Sequence, residues 1–360
     1  MRIAVDASRT TVARVTGTEQ YAIHILRALI RHNIDHDLTF YFRDSPAPNL
    51  FPEAARVRHA VIPFPRLWTH LRFAAQLWRD RPDVTWVPAH TLPLLFPGRA
   101  AVTVHDLGFR VFPEAHPANQ RRYLDWTTRY SAARASIVLA DSAATAADLT
   151  RFYGTPRHKI RIVYPGVDAP PIGDLDALRR KYNLPQRYFL FIGTLQPRKN
   201  IARLVRAYAA WRAAHPDDAV GLVLAGGQGW LFDPAWTAGV DGITLTGYVD
   251  DADKGALYAG ALALVFPSLY EGFGFPVLEA MHCGAPVICS GTSSLPELAG
   301  DAALLVDPLD VDAIAAAMTQ ITRDADLRAA LVARGRAQAR RFTWDAAGQA
   351  ALDALEAAHG

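Results

Sequence analysis

The sequence predicts an α/β protein with two doubly wound, parallel-sheet domains, and three observations support that prediction. Short apolar runs alternate with amphipathic helical patterns along the chain, which is typical of βα units around a parallel sheet. The 360 residues are many for one hydrophobic core and fit two domains of about 170 residues each. Midway, Pro165 to Gly173 is rich in proline and glycine, as linkers are.

In the first half, apolar runs predict buried strands and apolar residues with helical spacing predict helices. The run at the N-terminus reads as a strand, so we expect no signal peptide. The predicted strands are Arg2–Val5, Leu38–Phe42, Val57–Ile62, Val84–Val87, Ala101–Val104, Ile137–Ala140 and Ile160–Val163, and the predicted helices are Glu19–Arg31, Thr69–Arg79, Asn119–Arg134 and Ala143–Phe152.

The second half repeats this alternation and therefore predicts a second sheet of its own. Its predicted strands are Tyr188–Ile192, Gly221–Ala225, Ile243–Leu245, Ala261–Phe266, Pro286–Ser290 and Ala303–Val306. Its predicted helices are Ile201–Ala214, Asp253–Ala259, Pro276–Cys283, Val311–Ile321, Asp324–Arg340 and, at the end of the chain, Trp344–Ala358.

Composition limits the function classes. Apolar residues make up 51% of the chain, yet no run approaches the roughly 18 apolar residues of a membrane-spanning helix. We expect Cys283 and Cys289 to be buried thiols in a reducing cytoplasm. The chain up to Ile172 carries 22 Lys and Arg against 14 Asp and Glu. This excess fits an anionic acceptor or membrane surface, or arginines scattered in solvent. We expect no nucleic-acid partner.

The segment from Phe266 onwards predicts a ligand site. An apolar run ends there, and a loop with Glu271, Gly272 and Gly274 leads into a helix that carries Glu279. Ligands of open parallel sheets bind beyond the carboxyl ends of the strands, and a glycine loop entering a helix favours phosphate. Carboxylates accept paired hydrogen bonds from vicinal hydroxyls. Phosphate and hydroxyls together indicate a sugar nucleotide or sugar phosphate.

A second loop, GTLQPRKN, also joins a predicted strand to a helix. It begins with Gly193 and Thr194, where the missing side chain of glycine permits close approach of a ligand. It ends with Arg198 and Lys199, which place two cations at the edge of the sheet. Arginine grips phosphate oxygens with paired donors, whereas lysine acts as a point charge.

The stretch EGFGFPVLEAMHCGAPVI, with seven residues between Glu271 and Glu279, resembles the E-x7-E motif of retaining glycosyltransferases. Together with the residues around the motif, this stretch is most similar to glycosyltransferase family 4, which has the GT-B fold. The resemblance implies two Rossmann-like domains facing across a cleft. It implies an acceptor domain over 1–170, a donor domain over 171–345, and a final helix over 346–360 that packs back on the first domain.

The resemblance also implies roles in the donor domain. Glu271 would orient hydroxyls of the donor sugar, helped by backbone N–H groups of Phe273 to Phe275. Glu279 would hold the ribose hydroxyls. Arg198 and Lys199 would stabilise the departing diphosphate. The residues that the resemblance implies as donor contacts are Gly17, Gly193, Thr194, Gly226, Tyr248, Val249, Gly272, Phe273, Gly274, Phe275, Glu279 and Ser294.

Several of these positions have a plain structural alternative. Gly17 lies in Thr16-Gly17-Thr18. In the family this loop lies near the donor phosphates or the acceptor, but here it could also be a plain capped turn. Glu19-Gln20 stand where the family often has glycine, which argues against a phosphate contact. Ser294 lies in a loop that resembles the family loop near the donor phosphates, although Ser293 or Ser294 could simply cap a helix at Pro296. Asp251 and Asp253 have the spacing of a metal-binding pair, but they suit a helix start better.

His105 and Asp106 end a predicted strand and resemble the His-Asp pair of the family, whose histidine lies beside the transferred sugar. Asp106 would either orient the imidazole or cap the next turn. Asp141 and Ser142 are predicted to cap the following helix. We expect His105 to complete the site when the cleft closes.

The stretch RLWTHLRFAAQLWR, Arg66 to Arg79, has a stripe of Trp68, Leu71, Ala75 and Trp78 with helical spacing. Such a stripe packs against a sheet or, with its arginines, lies on a membrane. The sequence thus predicts a cytoplasmic enzyme with an optional peripheral contact to the inner face of the plasma membrane.

The predicted activity is retaining transfer of a hexose from a nucleotide-diphosphate sugar to a glycan or lipid-linked glycan, with no metal or other cofactor required. The HDLGF and FPE patterns after His105 look most like mannosyltransferases of polysaccharide and O-antigen synthesis, so GDP-mannose is the first donor expectation. A UDP-glucose or other UDP-sugar transferase is the alternative. A GT-B epimerase or phosphorylase, or a non-catalytic sugar-nucleotide-binding protein, would be of another class. A NAD enzyme is disfavoured because no G-x-G-x-x-G follows the first strand.

Overall fold

The computed structural model describes residues 1–12, 17–115, 117–229 and 231–360. The chain forms two compact units. The first unit consists of Met1–Gly166 together with Phe342–Gly360, and the second consists of Val167–Arg341. Each unit is built around its own parallel sheet, as expected for a chain whose two halves repeat the βα alternation.

Within the described residues of the first unit, parallel strands pair in the order β3-β2-β1-β4-β5-β6-β7. Because β1 lies between β2 and β4, the strand order reverses there, which is the switch point of a doubly wound sheet. The strands are β1 (Arg2–Asp6), β2 (Asp37–Phe42), β3 (Val57–Val61), β4 (Val84–Val87), β5 (Arg99–Val104), β6 (Ile137–Ala140) and β7 (Ile160–Ile162). The helices are α1 (Gly17–His32), α2 (Ala74–Asp80), α3 (Gly108–Val111), α4 (Ala118–Arg134), α5 (Ala143–Tyr153) and, from the chain end, α13 (Trp344–His359).

Helix α13 belongs to the first unit because it packs along α1. A Cβ on Gly348 would lie 2.7 Å from the Cβ of Ala28, so glycine is needed for the two helices to approach this closely. The ring of Trp344 stacks on His24 with 5.0 Å between the ring centroids. At the surface, Arg31 donates to Asp345 over 2.8 Å.

The second unit has parallel strands in the order β10-β9-β8-β11-β12-β13, counted over its described residues. Strand β8 lies between β9 and β11, so the switch point falls between β8 and β11. The strands are β8 (Arg187–Ile192), β9 (Val220–Ala225), β10 (Ile243–Gly247), β11 (Ala263–Phe266), β12 (Val287–Ser290) and β13 (Leu304–Val306). The helices are α6 (Leu175–Tyr182), α7 (Ile201–Ala214), α8 (Asp251–Ala259), α9 (Phe275–His282), α10 (Leu295–Ala299), α11 (Val311–Arg323) and α12 (Ala325–Ala339).

The predicted elements recur with bounds shifted by one or two residues, and the main omission is α6. Its sequence is polar, and Asp174 caps its start by accepting from the N–H groups of Asp176 and Ala177. Both cysteines are buried free thiols, as expected. Among the helices in the described ranges, none combines the length and the apolar character needed to cross a bilayer.

The helical phase predicted for Arg66 to Arg79 is wrong. Thr69–Phe73 forms a π-helical turn, in which the N–H of Phe73 donates to the carbonyl of Trp68 over 2.9 Å. Because a π turn advances five residues per hydrogen bond, Trp68 and Phe73 share a face, and their rings stack at 5.0 Å. Trp68 is buried with Phe73 and Leu77, whereas Leu71 and Trp78 are exposed, so the predicted stripe does not pack on the sheet as a unit.

Candidate active site

Two loops meet at the switch point of the second unit. One follows β8 and the other follows β11, and the strands pair directly, with Leu190 opposite Leu264. Asn200, which ends the first loop, donates from its side chain to the carbonyl of Pro267 in the second loop over 3.0 Å. The structure therefore brings together the two segments that the sequence indicated as separate phosphate-binding loops.

Three charged side chains meet between these loops. Lys199 donates from Nζ to Oε1 of Glu271 over 2.5 Å. Arg198 donates from a guanidinium nitrogen to the carbonyl of Tyr270 over 3.0 Å and lies 3.6 Å from Oε2 of Glu271. The Nζ atom of Lys199 also lies 4.9 Å from the centre of the Phe266 ring. Three of the four side chains predicted as catalytic, which are Arg198, Lys199 and Glu271, thus form one cluster.

In this cluster the buried carboxylate of Glu271 faces two partly buried cations. Burial acts to raise the pKa of Glu271, but the charges of Lys199 and Arg198 outweigh it and leave the pKa below its usual value. Glu271 is therefore ionised. Two cations at the edge of the sheet suit an anionic ligand such as a diphosphate.

The loop that carries Glu271 is held by two serines. The backbone N–H of Glu271 donates to Oγ of Ser293 over 3.0 Å. The hydroxyl of Ser294 donates to the carbonyls of Glu271 and Phe273. Ser294 is fully buried and occupies the N-cap position of α10, as one of the two predicted alternatives, but its side chain makes no capping hydrogen bond because the loop uses its hydroxyl. A donor contact of Ser294 stays a prediction.

Helix α9 begins directly after this loop. Gly274 has a φ of 138°, which a residue with a side chain rarely adopts. A Cβ at this position would also lie 2.7 Å from the side chain of Leu295. Phe273 is buried and its ring packs edge-on against Phe275 at 5.0 Å. With Gly272, these residues form the buried turn that sets the direction of the helix start.

Glu279 lies one turn into α9 and has a partner that sequence reasoning missed. Tyr258 in α8 donates its hydroxyl to Oε2 of Glu279 over 2.7 Å. Burial raises the pKa of Glu279 in spite of Lys254 and this hydrogen bond. Lys254 is itself bonded to Asp251 over 2.6 Å. The sequence contains one indication of this contact. Tyr258 and Glu279 lie in consecutive predicted helices, and such helices can pack side by side.

The glycines after β8 and β9 allow two backbone segments to approach each other closely. Gly193 and Gly226 have φ values of 140° and 139°. A Cβ on Gly226 would lie 2.1 Å from the carbonyl oxygen of Gly193, so the two loops touch main chain to main chain. Thr194 follows in the same loop. Whether these residues contact a donor stays a prediction.

Beyond β10, Tyr248 is 72% exposed whereas Val249 is buried. An exposed aromatic ring at the carboxyl edge of the sheet has a free face on which a base could stack. Asp253, of the pair with metal-like spacing, accepts from Lys181 over 2.6 Å and from Tyr182 over 2.8 Å. In the described part of the chain, no group of three or more His, Cys, Asp or Glu side chains could hold a metal ion.

In the first unit, His105 follows β5 and is paired with Asp141, which follows the neighbouring β6. The Nδ1 atom of the imidazole lies 2.7 Å from Oδ2 of Asp141. Asp106 instead accepts from the N–H of Gly108 over 2.8 Å, which is the capping alternative. Ser142 caps α5 as predicted, but Asp141 does not share that role. The sequence contains one indication of the His105–Asp141 contact, because the two residues follow consecutive predicted strands, which can be neighbours in the sheet.

Gly17 begins α1 and is exposed. Among the described residues, no atom outside its chain neighbours lies within 4 Å of a Cβ built on it. Thr16, the residue before it, lies outside the described residues.

Comparisons with known proteins agree with the fold. The family described as "Glycosyl transferases group 1" matches residues 175–338, and "Glycosyltransferase Family 4" matches residues 15–169. O-antigen chain mannosyltransferase B of Escherichia coli is 40% identical over an alignment of 261 positions, and the match covers 69% of this chain and 67% of that protein. O-antigen chain mannosyltransferase RfbU of Salmonella typhimurium is 28% identical over an alignment of 318 positions, and the match covers 82% of this chain and 84% of that protein.

Two solved structures share the fold. Sucrose-phosphate synthase from Thermosynechococcus elongatus superposes with a TM-score of 0.76 and 23% identity, over 98% of this chain and 97% of that one. Anabaena Alr3699/HepE in complex with UDP-glucose superposes with a TM-score of 0.73 and 17% identity, over 99% of both chains.

The two parallel-sheet units and the charged cluster at a switch point define a glycosyltransferase of the GT-B fold. Within that class, the chain belongs to glycosyltransferase family 4. The resemblance stated from the sequence is therefore confirmed.

Proposed function

We propose that this chain is a retaining hexosyltransferase that moves mannose from GDP-mannose to a hydroxyl of a glycan or lipid-linked glycan, as part of O-antigen or polysaccharide synthesis. The single observation that supports it most is the Arg198–Lys199–Glu271 cluster at the switch point. The printed names of the two relatives, both O-antigen chain mannosyltransferases, favour mannose.

The proposed chemistry places the two cations where charge develops. The bond between C1 of the sugar and the diphosphate oxygen breaks, and the electron pair leaves with the diphosphate. Arg198 and Lys199 stabilise this charge from fixed positions, which is the largest demand of the reaction. An acceptor oxygen attacks C1 from the same face, and its proton passes to the leaving phosphate. The configuration at C1 is thereby retained.

The two glutamates hold different hydroxyls in this proposal. Glu271, already ionised by its cations, accepts from hydroxyls of the sugar. Glu279 accepts from the ribose hydroxyls, in an orientation fixed by Tyr258. His105 contacts the transferred sugar. No resident metal is proposed, because Arg198 and Lys199 supply the positive charge that a diphosphate needs.

The donor is tested by calorimetric binding and thermal shift with GDP-, UDP- and ADP-sugars. We expect GDP-mannose to stabilise the wild type, and Glu279→Ala to weaken binding about 10- to 100-fold, as loss of a hydrogen bond to a charged group does. Affinity should also fall at mildly acidic pH, because the raised pKa of Glu279 lets this carboxylate take up a proton above its ordinary range.

Glu53→Ala, a change at an exposed glutamate of the first unit, is the control and should leave binding unaltered. Selective binding of UDP-sugars would replace GDP-mannose by the UDP-sugar alternative. Release of nucleoside diphosphate that depends on an acceptor separates a transferase from an epimerase. A folded protein that binds none of these donors would contradict the proposal and favour a non-catalytic role.

We also propose that residues 66–79 contact the cytoplasmic face of the plasma membrane. The π turn leaves Leu71 and Trp78 about half exposed, at 51% and 48%, while Trp68 anchors the segment in the core. Arg66 and Arg79 are exposed beside them. Apolar side chains flanked by arginines fit an anionic lipid surface.

This contact predicts the behaviour of a double variant. Leu71→Glu with Trp78→Glu should lower binding to phosphatidylglycerol vesicles at least about tenfold, since each side chain loses about 1.5–3 kcal/mol of burial. Leu309→Glu, at a 59% exposed leucine of the second unit, is the matched control and should bind as the wild type. Equal binding by all three proteins in a flotation assay would refute the contact.

A further inference from the structure

The imidazole of His105 is fixed on several sides in the first unit. Its Nδ1 atom is held by Asp141 at 2.7 Å. Tyr21 of α1 packs edge-on against the ring at 4.8 Å, and the ring of His90 lies at 5.5 Å. The main chain is fixed as well, because the carbonyl of His105 accepts from the hydroxyl of Thr145 over 3.2 Å. Such a ring has one orientation.

One polar atom of this ring is left over. Nε2 of His105 is buried and has no hydrogen-bond partner among the described residues. A buried polar atom without a partner costs free energy, so native proteins keep one where a ligand or an ordered water supplies the bond. The contact to Asp141 occupies the opposite nitrogen and so decides which nitrogen is presented.

The neighbouring His90 shows that the two histidines have different proton states. The N–H of His105 donates to Nε2 of His90 over 3.3 Å, so this Nε2 is an unprotonated acceptor. Burial, with the charge of His105, lowers the pKa of His90 to about 3. His90 is therefore neutral, and a positive charge in this pair resides on His105.

Four side chains and the backbone carbonyl of Pro88 face His105 and set its protonation. Burial acts to lower its pKa, but the carboxylates of Asp141 and Asp106 outweigh burial and raise it. His90 is neutral, and burial, together with the nearby Asp141, raises the pKa of the Tyr21 phenol well above its usual value, so that it too is neutral. The imidazole thus keeps two N–H groups to a higher pH than an ordinary histidine, one for Asp141 and one at Nε2.

We propose that Asp141 is a positioning residue, which holds the imidazole of His105 so that the N–H at Nε2 donates to an oxygen of the transferred sugar. The carboxylate acts only through His105 and does not touch the substrate. This inference rests on the proposed function, because it needs His105 to contact the sugar. It deepens that function by naming the residue that sets the orientation and charge of His105.

A double-mutant cycle tests the inference on the full chain, with nucleoside diphosphate release as the assay. Asp141→Asn should lower kcat/KM about 10- to 100-fold, as a misplaced catalytic group does. In the His105→Ala background the same change should alter kcat/KM by less than about twofold, because the residue it acts through is gone. Asp80→Asn removes a carboxylate that accepts from Tyr41 in the same unit and should leave kcat/KM unaltered.

A second readout follows the proton itself. Asp141→Asn removes a carboxylate that favours the charged imidazole, so the alkaline limb of kcat/KM should move to lower pH. The nitrogen NMR signals of His105 should titrate at correspondingly lower pH, with or without a substrate.

The outcomes separate the two proposals. An equal loss from Asp141→Asn in both backgrounds, or an unchanged titration of His105, would overturn the positioning role. A wild type that releases no diphosphate with any sugar donor would overturn the proposed function, and the NMR titration would still decide whether Asp141 controls the proton of His105.

Discussion

Replacement of Lys199 by methionine should lower kcat/KM for sugar transfer by about 10²- to 10³-fold, the effect of removing one preorganised charge from a developing anion. Methionine keeps much of the length of the side chain but removes the charge that lies 2.5 Å from Glu271. Two effects add. The departing diphosphate loses one of its two cations, and the cation that still faces the buried Glu271 is Arg198, at the longer distance of 3.6 Å.

The second effect is separated from the first by a paired variant. Lys199→Met alone leaves a buried carboxylate poorly compensated and should cost about 1–3 kcal/mol of unfolding free energy. Addition of Glu271→Gln removes that carboxylate charge and should restore most of the lost stability, but no activity. Calorimetry and steady-state kinetics on both variants measure the two losses independently.

Lys181→Met is the matched control for this series. Lys181 lies in the same unit and also pairs with carboxylates, those of Asp250 and Asp253, but it is half exposed. Its replacement should leave kcat/KM within about twofold, because exposed ion pairs contribute little. If Lys199→Met retains wild-type kcat/KM with a donor that binds, the cluster does not stabilise the leaving group.

The sequence predicted the two loops of the site but not the contact between them. Arg198, Lys199 and Glu271 each follow an apolar run, and this pattern is visible in one chain without any alignment. Their meeting depends on β8 lying beside β11, although two other strands separate them in the sequence. Strand order in a doubly wound sheet is a property of the whole domain, so local patterns could not show that Lys199 pairs with Glu271.

The same limit explains the missed partners of His105 and Glu279. Asp141 was predicted only as a capping residue, and Tyr258 only as part of a helix. Each is hydrogen-bonded to a side chain of another element. The π turn at Thr69–Phe73 is a different case. Here the helix was predicted, but one wider turn shifted the phase and changed which residues of the stripe are buried.

Alanine in place of Gly226 should destabilise the second unit by about 2–5 kcal/mol, since it combines a disfavoured φ with a steric clash. The φ of this residue is 139°. The added Cβ would lie 2.1 Å from the carbonyl oxygen of Gly193, which is backbone and cannot turn away as a side chain could. The loops after β8 and β9 would have to separate, and the N–H of Leu195 would lose its 2.9 Å bond to Gly227.

Two neighbouring glycines provide the controls for Gly226→Ala. Gly227→Ala has open space among the described residues and should change the unfolding free energy by less than about 0.5 kcal/mol. Gly193→Ala has the same positive φ but only ordinary contacts, so it should cost about 1–3 kcal/mol from backbone strain alone. We expect urea unfolding to show the largest loss of unfolding free energy for Gly226→Ala, a smaller loss for Gly193→Ala and the smallest for Gly227→Ala.

A Gly226→Ala variant as stable as Gly227→Ala would show that the two loops do not touch as described. If the order holds, the close main-chain approach that Gly193 and Gly226 permit supports the loop that carries Arg198 and Lys199.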